Sequence, residues 1–156
     1  MRIHLVFAGK TGFQDIDTAI SRYVERLRHY VQVEVHVVKA EKLLPGAGEE
    51  AARRRESERL LKAVVRPGFL VAWDQRGREF DSGELAAFLE KLRDSGPAEV
   101  WMVIGGPLGL DEELVKKADA VLSLARMTFP HDLARLMVAE QLYRAFTILK
   151  GEPYHK

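Results

Sequence analysis

Reactive residue types gather at three places in the chain. The first is "VIGGPLGLDEEL", Val103 to Leu114, where an apolar run empties into Gly105, Gly106, Pro107 and Gly109 and then into a helix start. Glycine-rich loops between a strand and a helix cradle phosphates. This one does not follow the G-x-G-x-x-G pattern, and Pro107 removes a backbone donor that a phosphate would use. What remains is a tight turn that lets a ligand approach the backbone where a strand ends, the edge at which parallel α/β sheets bind ligands. An ordinary strand-to-helix turn is an equal reading of this motif taken alone. The "GKT" at Gly9 to Thr11 fails as a phosphate loop, because His4 stands where the first glycine of that motif belongs.

The second place is the start and face of the last apolar segment. His131 follows Pro130 at a helix start, where the helix dipole favours the neutral, proton-accepting imidazole. Glu140 and Arg144 stand four apart, an ion-pair spacing, in a segment so apolar that charges there need a reason. The third is the tail "GEPYHK", whose Tyr154 and His155 are chemically rich for a terminus expected to fray. Of the other histidines, His29 and His36 read as surface or strand-face residues. No histidine pair has the helical spacing of a zinc site, so no metal is expected. "RRRE" (53–56) reads as a solvated helix face with Arg54 and Glu58 four apart, and as an RNA contact only in second place. There is no G-x-S-x-G elbow.

Alternating strands and helices must position these groups. Ile3, Leu5 and Phe7 alternate with His4, Val6 and Ala8 as a first strand. Helical spacing from Ile16 to Tyr30 follows, with Asp15 as its cap. "VEVHVV" (33–38) is a second strand, "AEKLLPGAGE" a loop, and residues 49–65 a charged helix closed by Pro67 and Gly68. "FLVAW" (69–73) has the continuous apolar character of a strand buried on both faces, and "DQRGRE" after it reads as a turn. Ser82 is a plausible cap for a helix running through Arg93. "EVWMVI" (99–104), "DEELVKKA" and "AVLSL" (120–124) read as strand, short helix and strand, and the last helix spans roughly His131 to Lys150. The order implies an α/β fold with a mostly parallel sheet flanked by helices.

That last helix is apolar nearly all round, from Leu133 to Leu149, whereas a helix packed on one side keeps a wide polar stripe. Cover by its own sheet on one side and a second subunit on the other predicts a homodimer. The 156 residues suit one domain, 1–156, and 47% hydrophobic with 30% charged residues describes a folded globular chain. The absence of cysteine suits a reducing, cytoplasmic setting. No stretch reads as a signal peptide or membrane span, so no membrane partner is expected. A net charge of +1 requires that any nucleic-acid contact be local or supplied twice by an oligomer.

Taken together, "AGK" after the first strand, "VIGGPLGL", "LSLARMTFPHDLARLMVAEQLYRAFTILKGEPYHK" and the order of the elements resemble the small bacterial 23S ribosomal RNA pseudouridine N3-methyltransferases of the SPOUT class. The likeness spans the chain and is densest from Trp73 onward. It implies a SPOUT-type α/β fold with a C-terminal trefoil knot, a homodimer, S-adenosyl-L-methionine as methyl donor, and 23S rRNA in the ribosome as substrate. The knot comes from the resemblance alone, since threaded chains are too rare to be proposed from pattern. Carried over by motif, the cofactor-binding positions are Trp73, Gly105 and the loop Leu124, Ala125, Arg126, Met127, Thr128 and Phe129. Trp73 stands where the family usually has Leu, and Leu108 where relatives often carry a polar residue.

Methyl transfer to N3 of a pseudouridine requires an aligned imide nitrogen and an acceptor for its proton. The candidates are His131, Arg135, Glu140, Arg144, Tyr154 and His155. His155 or His131 is expected near the proton and Arg135 or Arg144 on a phosphate or the uracil oxygens, with the tail folded over the site and reaching a partner's pocket. A SPOUT enzyme acting on transfer RNA and a non-catalytic ribosome-associated binding protein are the alternatives.

Overall fold

The computed structural model describes every residue except Ala47 and Arg66, and Ser95 through its backbone alone. Ala47 belongs to the loop expected between the second strand and second helix, and that residue of the loop lies outside the described set. The elements run β1 (Arg2–Ala8), α1 (Gln14–Leu27), β2 (Gln32–Val38), α2 (Glu49–Ala63), β3 (Phe69–Glu79), α3 (Ser82–Ser95), β4 (Glu99–Ile104), α4 (Glu112–Lys117), β5 (Ala120–Ser123) and α5 (His131–Leu149), with a final 3-10 turn at Pro153–His155. The strands form one sheet in the order β2-β1-β4-β3-β5, and every described pairing is parallel.

The apolar runs read as doubly buried strands are doubly buried because helices cover both faces. Ile3, Leu5 and Phe7 of β1 join Val71 and Met102 in a core cluster that also holds Ile20, Leu89 and Leu142, from α1, α3 and α5. Val6 and Ala8 face the other way, with Leu70, Ala72 and Val103, against Leu60 of α2 and Leu114 of α4. Each fully buried leucine contributes roughly 1.5–3 kcal/mol relative to exposure. The edge strand β2 is mostly exposed or half-buried.

Four details differ from the sequence reading. Asp15 does not cap α1; Phe13 holds that position without a side-chain bond, and Asp15 accepts from the Ile16 amide inside the first turn, 2.9 Å. Asp81, not Ser82, caps α3. Its Oδ1 accepts from the Glu84 amide (2.7 Å), and Glu84 Oε2 accepts from the Asp81 amide (2.9 Å), while Ser82 donates to Gln141 of α5. Asp81→Ala removes this reciprocal cap and is expected to cost about 1 kcal/mol in urea unfolding.

The segment "DQRGRE" is not a simple turn but the continuation of β3. Trp73 and Arg78 both align with Leu122 of β5, so the residues between them form an excursion within the strand. Arg76 closes it on Asp74, with its backbone N–H at 2.9 Å and its Nε at 2.7 Å from Oδ1. At Gly77 a Cβ would lie 2.6 Å from backbone atoms of Val121 and Leu122, so the close passage of the two strands admits no side chain.

The apolar girth of α5 also has a partly different cause. Helices α1 and α3 flank it and β4 lies beneath, which buries Val138, Ala139, Leu142, Ala145 and Phe146 within one chain. Leu133 stays exposed and Met137 half-buried along one stripe, which continues into Glu140 and Arg144, half-buried under Tyr154 of the tail. The helix ends at Gly151, whose φ is +68°. The Gly151 amide bonds to the Ile148 carbonyl (3.0 Å) and the Glu152 amide to that of Thr147 (2.9 Å), which is a Schellman motif. This stop turns the tail back across its own helix.

Candidate active site

The carboxyl ends of β3, β4 and β5 open into a cavity of about 580 Å³. Its walls are three loops: Trp73 to Gln75 after the core of β3, Ile104 to Leu110 after β4, and Ser123 to Pro130 apart from Arg126, with His131 and Ala134 of α5 closing one side. The volume is that of a small-molecule site.

Each glycine of the β4 loop has its own reason, packing at two of them and backbone conformation at the third. A Cβ on Gly105 would lie 3.0 Å from the Gly109 carbonyl carbon and 3.1 Å from Leu110 Cδ2, so the turn folds onto itself there. A Cβ on Gly106 would lie 2.9 Å from Glu56 Oε1. Gly109 has φ +74° and donates to the Gly106 carbonyl at 3.0 Å. Helix α2 holds the loop from outside: Arg53 Nε donates to the Leu108 carbonyl (2.8 Å), and Ser57 Oγ accepts from the Asp111 amide (3.0 Å). Arg76 reaches across to the Leu110 carbonyl (3.0 Å). The arginine-rich stretch of α2 is therefore not only a solvated face. Arg54 does pair with Glu58, but Arg53 is a brace, and Glu56 is buried beneath Gly106.

Three polar groups in the wall bear on what the cavity can hold. The Trp73 indole Nε1 is buried and has no hydrogen-bond partner among the described residues, so it offers an unused donor beside the cavity. Burial pushes the Asp74 carboxyl up, yet the Arg76 bonds outweigh it and hold its pKa below the ordinary value, so this wall group is ionised. His131 is half-buried, and burial, the largest influence, lowers its pKa below the usual imidazole value against the opposing pull of Asp132. Its ring is neutral near pH 7.

A family described as "Predicted SPOUT methyltransferase" matches residues 1–155. The chain belongs to this family. It is 56% identical, over the whole length of both chains, to the "Ribosomal RNA large subunit methyltransferase H" of Syntrophobacter fumaroxidans. Among solved structures, a probable methylase family protein from Haemophilus influenzae aligns with a TM-score of 0.53 at 18% identity, covering 99% of this chain and 70% of that one. A structure concerned with 2-OH methylation of C/U34 on tRNA aligns with 0.51 at 16% identity, covering 97% and 98%. At such identities the structural likeness speaks for the SPOUT fold alone.

In this SPOUT methyltransferase the positions carried over for the cofactor come together: Trp73, Gly105, Leu124, Ala125, Met127, Thr128 and Phe129 all line the cavity. Arg126 is in the same loop but does not line it, and Met127 is 72% exposed at the rim. Of the residues expected to do chemistry, His131 alone lines the cavity of its own chain.

Arg135 lies fully buried below. Its Nη2 donates to the Ala8 carbonyl (2.6 Å), its Nη1 to Thr11 Oγ1 (3.2 Å), and its guanidinium sits 4.8 Å over the Phe7 ring. Asp132 approaches the same group, with Oδ1 3.7 Å from Arg135 Nη1, and its Oδ2 accepts from the Gly12 amide at 2.9 Å. The "AGKTG" loop is thus pinned by α5, and within one chain the Arg135 guanidinium is buried and spent on Ala8 and Thr11.

Arg144, Tyr154 and Glu140 form a separate cluster. Glu140 Oε1 accepts from Arg144 Nη2 (2.6 Å) and from Tyr154 Oη (3.2 Å), and Tyr154 Oη also meets Tyr23 Oη at 3.2 Å. Burial, then the Tyr23 and Glu140 contacts, push the Tyr154 phenol far above its usual pKa, so it stays protonated. His155 is exposed beside it. The tail lies on its own α1 and α5 and not over its own cavity. The sequence reading missed Glu56, Arg53 and Asp74. Only the polarity of "DQR" after a buried strand hinted at the last.

Proposed function

We propose that this protein methylates N3 of a pseudouridine in 23S ribosomal RNA on the assembled ribosome, with S-adenosyl-L-methionine as donor, acting in the cytoplasm as a homodimer of one domain, 1–156, with a C-terminal trefoil knot. The observation that carries the reading is the cavity at the strand ends, walled by the three loops expected for the cofactor and holding an unpartnered Trp73 N–H. That donor, the backbone groups of the 105–110 turn and those of Leu124 to Phe129 suit the adenine and methionine parts of the molecule. The name of the 56%-identical relative supports ribosomal RNA as the substrate. The close passage at Gly77 suits a knotted chain.

S-adenosyl-L-methionine, when bound, supplies an electrophilic methyl group on sulfur. Transfer would join that methyl carbon to N3 as its bond to sulfur breaks, and the N3 proton would pass to a base of this chain. His131, neutral and at the cavity wall, would take it. The stripe of Leu133 and Met137, continued by Glu140 and Arg144 under the tail, supports a dimer contact on α5. Across such a contact, Arg144, Tyr154 and His155 of one subunit would face the cavity of the other, with Arg144 on phosphate or uracil oxygens. The low net charge fits recognition of an assembled ribosomal surface more than of isolated RNA. None of the chain's described helices is long and apolar enough to cross a membrane.

Calorimetry with S-adenosyl-L-methionine tests the site. One molecule bound per chain is expected, with Gly105→Val weakening the affinity at least about tenfold, because the added carbons strike the Gly109 and Leu110 side of the turn. A protein that binds none would instead be a binding module of the ribosome, and a Gly105→Val protein with full affinity would remove the glycine turn from the cofactor wall.

A further inference from the structure

The opposite end of the sheet carries a second set of reactive groups, which the methyltransferase site does not use. His4 of β1 and Glu34 of β2 are each third in their strands, His36 is fifth of seven in β2, and Glu99 opens β4. Glu99 and Gly105 are separated by nearly the full run of β4, on the order of 20 Å, so this cluster is remote from the cavity. In the parallel register Glu34 is opposite His4, and His36 is two positions further along the same face.

Three ligand-type atoms converge there. His4 Nδ1 and His36 Nε2 are 2.9 Å apart, His4 Nδ1 and Glu34 Oε2 3.7 Å, and His36 Nε2 and Glu34 Oε2 3.7 Å. A tetrahedral ion with bonds of about 2.0–2.1 Å requires its ligand atoms about 3.3 Å apart, which lies within the span of this triangle. Behind the triangle, His4 Nε2 lies 2.6 Å from Glu99 Oε2. That carboxylate fixes which nitrogen of His4 carries the proton and leaves Nδ1 with its lone pair, the arrangement that orients metal-bound histidines elsewhere.

The scaffold is rigid where it must be. His4 is 5% exposed and its ring stacks on Trp101, with centroids 3.8 Å apart and planes 9° from parallel. Arg2 sits between the two carboxylates, 3.6 Å from Glu34 Oε1 and 3.7 Å from Glu99 Oε1. It thereby occupies the oxygens that face away and leaves both Oε2 atoms to the histidines. Glu34 and His36 are partly exposed, so an ion has an entry path and a place for a water in the fourth position.

We infer that His4, His36 and Glu34, with Glu99 orienting His4, form a binding site for one divalent first-row transition ion of the zinc type, which clips the edge strand β2 to β1. Two imidazoles and one carboxylate select such an ion over magnesium or calcium, which take oxygen ligands. Helical spacing, on which no metal was expected from the sequence, does not detect ligands that meet across two parallel strands. The role is structural and independent of methyl transfer.

The test uses untagged full-length protein stripped with a chelator and titrated with zinc chloride in a calorimeter and in thermal melts. One ion per chain is expected, together with a raised melting temperature. His36→Ala should abolish both effects, Glu34→Gln should weaken binding, and Glu99→Gln should weaken it by about 10–100-fold by loosening His4. Magnesium in place of zinc should give neither effect. His36 is partly exposed on an edge strand, so its variant should fold, and an unchanged melting temperature without metal checks that. The proposal is overturned if the wild-type protein binds no zinc, or if His36→Ala and Glu34→Gln both bind it as the wild type does.

Discussion

Arg135→Ala is expected to destabilise the protein by about 3–5 kcal/mol, the largest effect of any single substitution considered, because it leaves a buried carboxylate without its cation. Arg135 is 0% exposed and supplies the only described side-chain donor to the Ala8 carbonyl, while Asp132 beside it is 4% exposed. For a domain of this size that loss corresponds to a melting temperature lower by roughly 6–20 °C. Its partner Asp132 holds the Gly12 amide, so the two losses should couple: Arg135→Ala with Asp132→Asn should cost less than the sum of the single changes. A double-mutant cycle in urea measures this. A single-substitution cost under about 1 kcal/mol, or strict additivity, would contradict the assignment of Arg135 as the residue that pins the Ala8 to Gly12 loop.

Removal of Tyr154 to Lys156 should lower the methylation rate by about 10²–10⁴-fold, the range for losing positioned acid-base and substrate contacts, while S-adenosyl-L-methionine still binds. The reason lies in where the tail rests. The Schellman turn at Gly151 sends it back over α5, where Tyr154 is held by Tyr23, Glu140 and Arg144, clear of its own cavity. In the proposed homodimer its chemistry would serve the second subunit. Mixing the tail-deleted protein with the Gly105→Val protein should restore part of the activity, because each mixed dimer regains one intact cavity faced by one intact tail. Full activity of the tail-deleted protein alone, or no recovery on mixing two inactive proteins that do form mixed dimers, would contradict a tail that serves its partner.

Much of the architecture can be read from the order of apolar runs. β3 and β4 announce themselves because strands covered on both faces need continuous apolar residues, and Gly105 to Gly109 mark a turn at a strand end. The residues that could not be read are those whose role depends on a distant partner. Asp81 and Ser82 are both good caps, and the choice follows from Ser82 having Gln141 to bond across to α5. The stretch after Trp73 looks like a turn in composition, yet parallel pairing with β5 resumes at Arg78 beyond the Asp74–Arg76 clasp. Arg135 is visible as a charge within an apolar helix, but its purpose requires the Ala8 carbonyl, far away in sequence. Glu56 hides in "RRRE" because charge patterning does not reveal which carboxylate a neighbouring loop will cover. His4 and His36 become neighbours only through the β1–β2 register.

The most direct measurement is mass spectrometry of 23S ribosomal RNA before and after purified protein and S-adenosyl-L-methionine are added to ribosomes from a strain lacking the gene. One added methyl group at N3 of a single pseudouridine is the expected result, with whole ribosomes modified far faster than naked RNA. An unmodified 23S RNA, or a methyl group appearing on transfer RNA instead, would contradict the account.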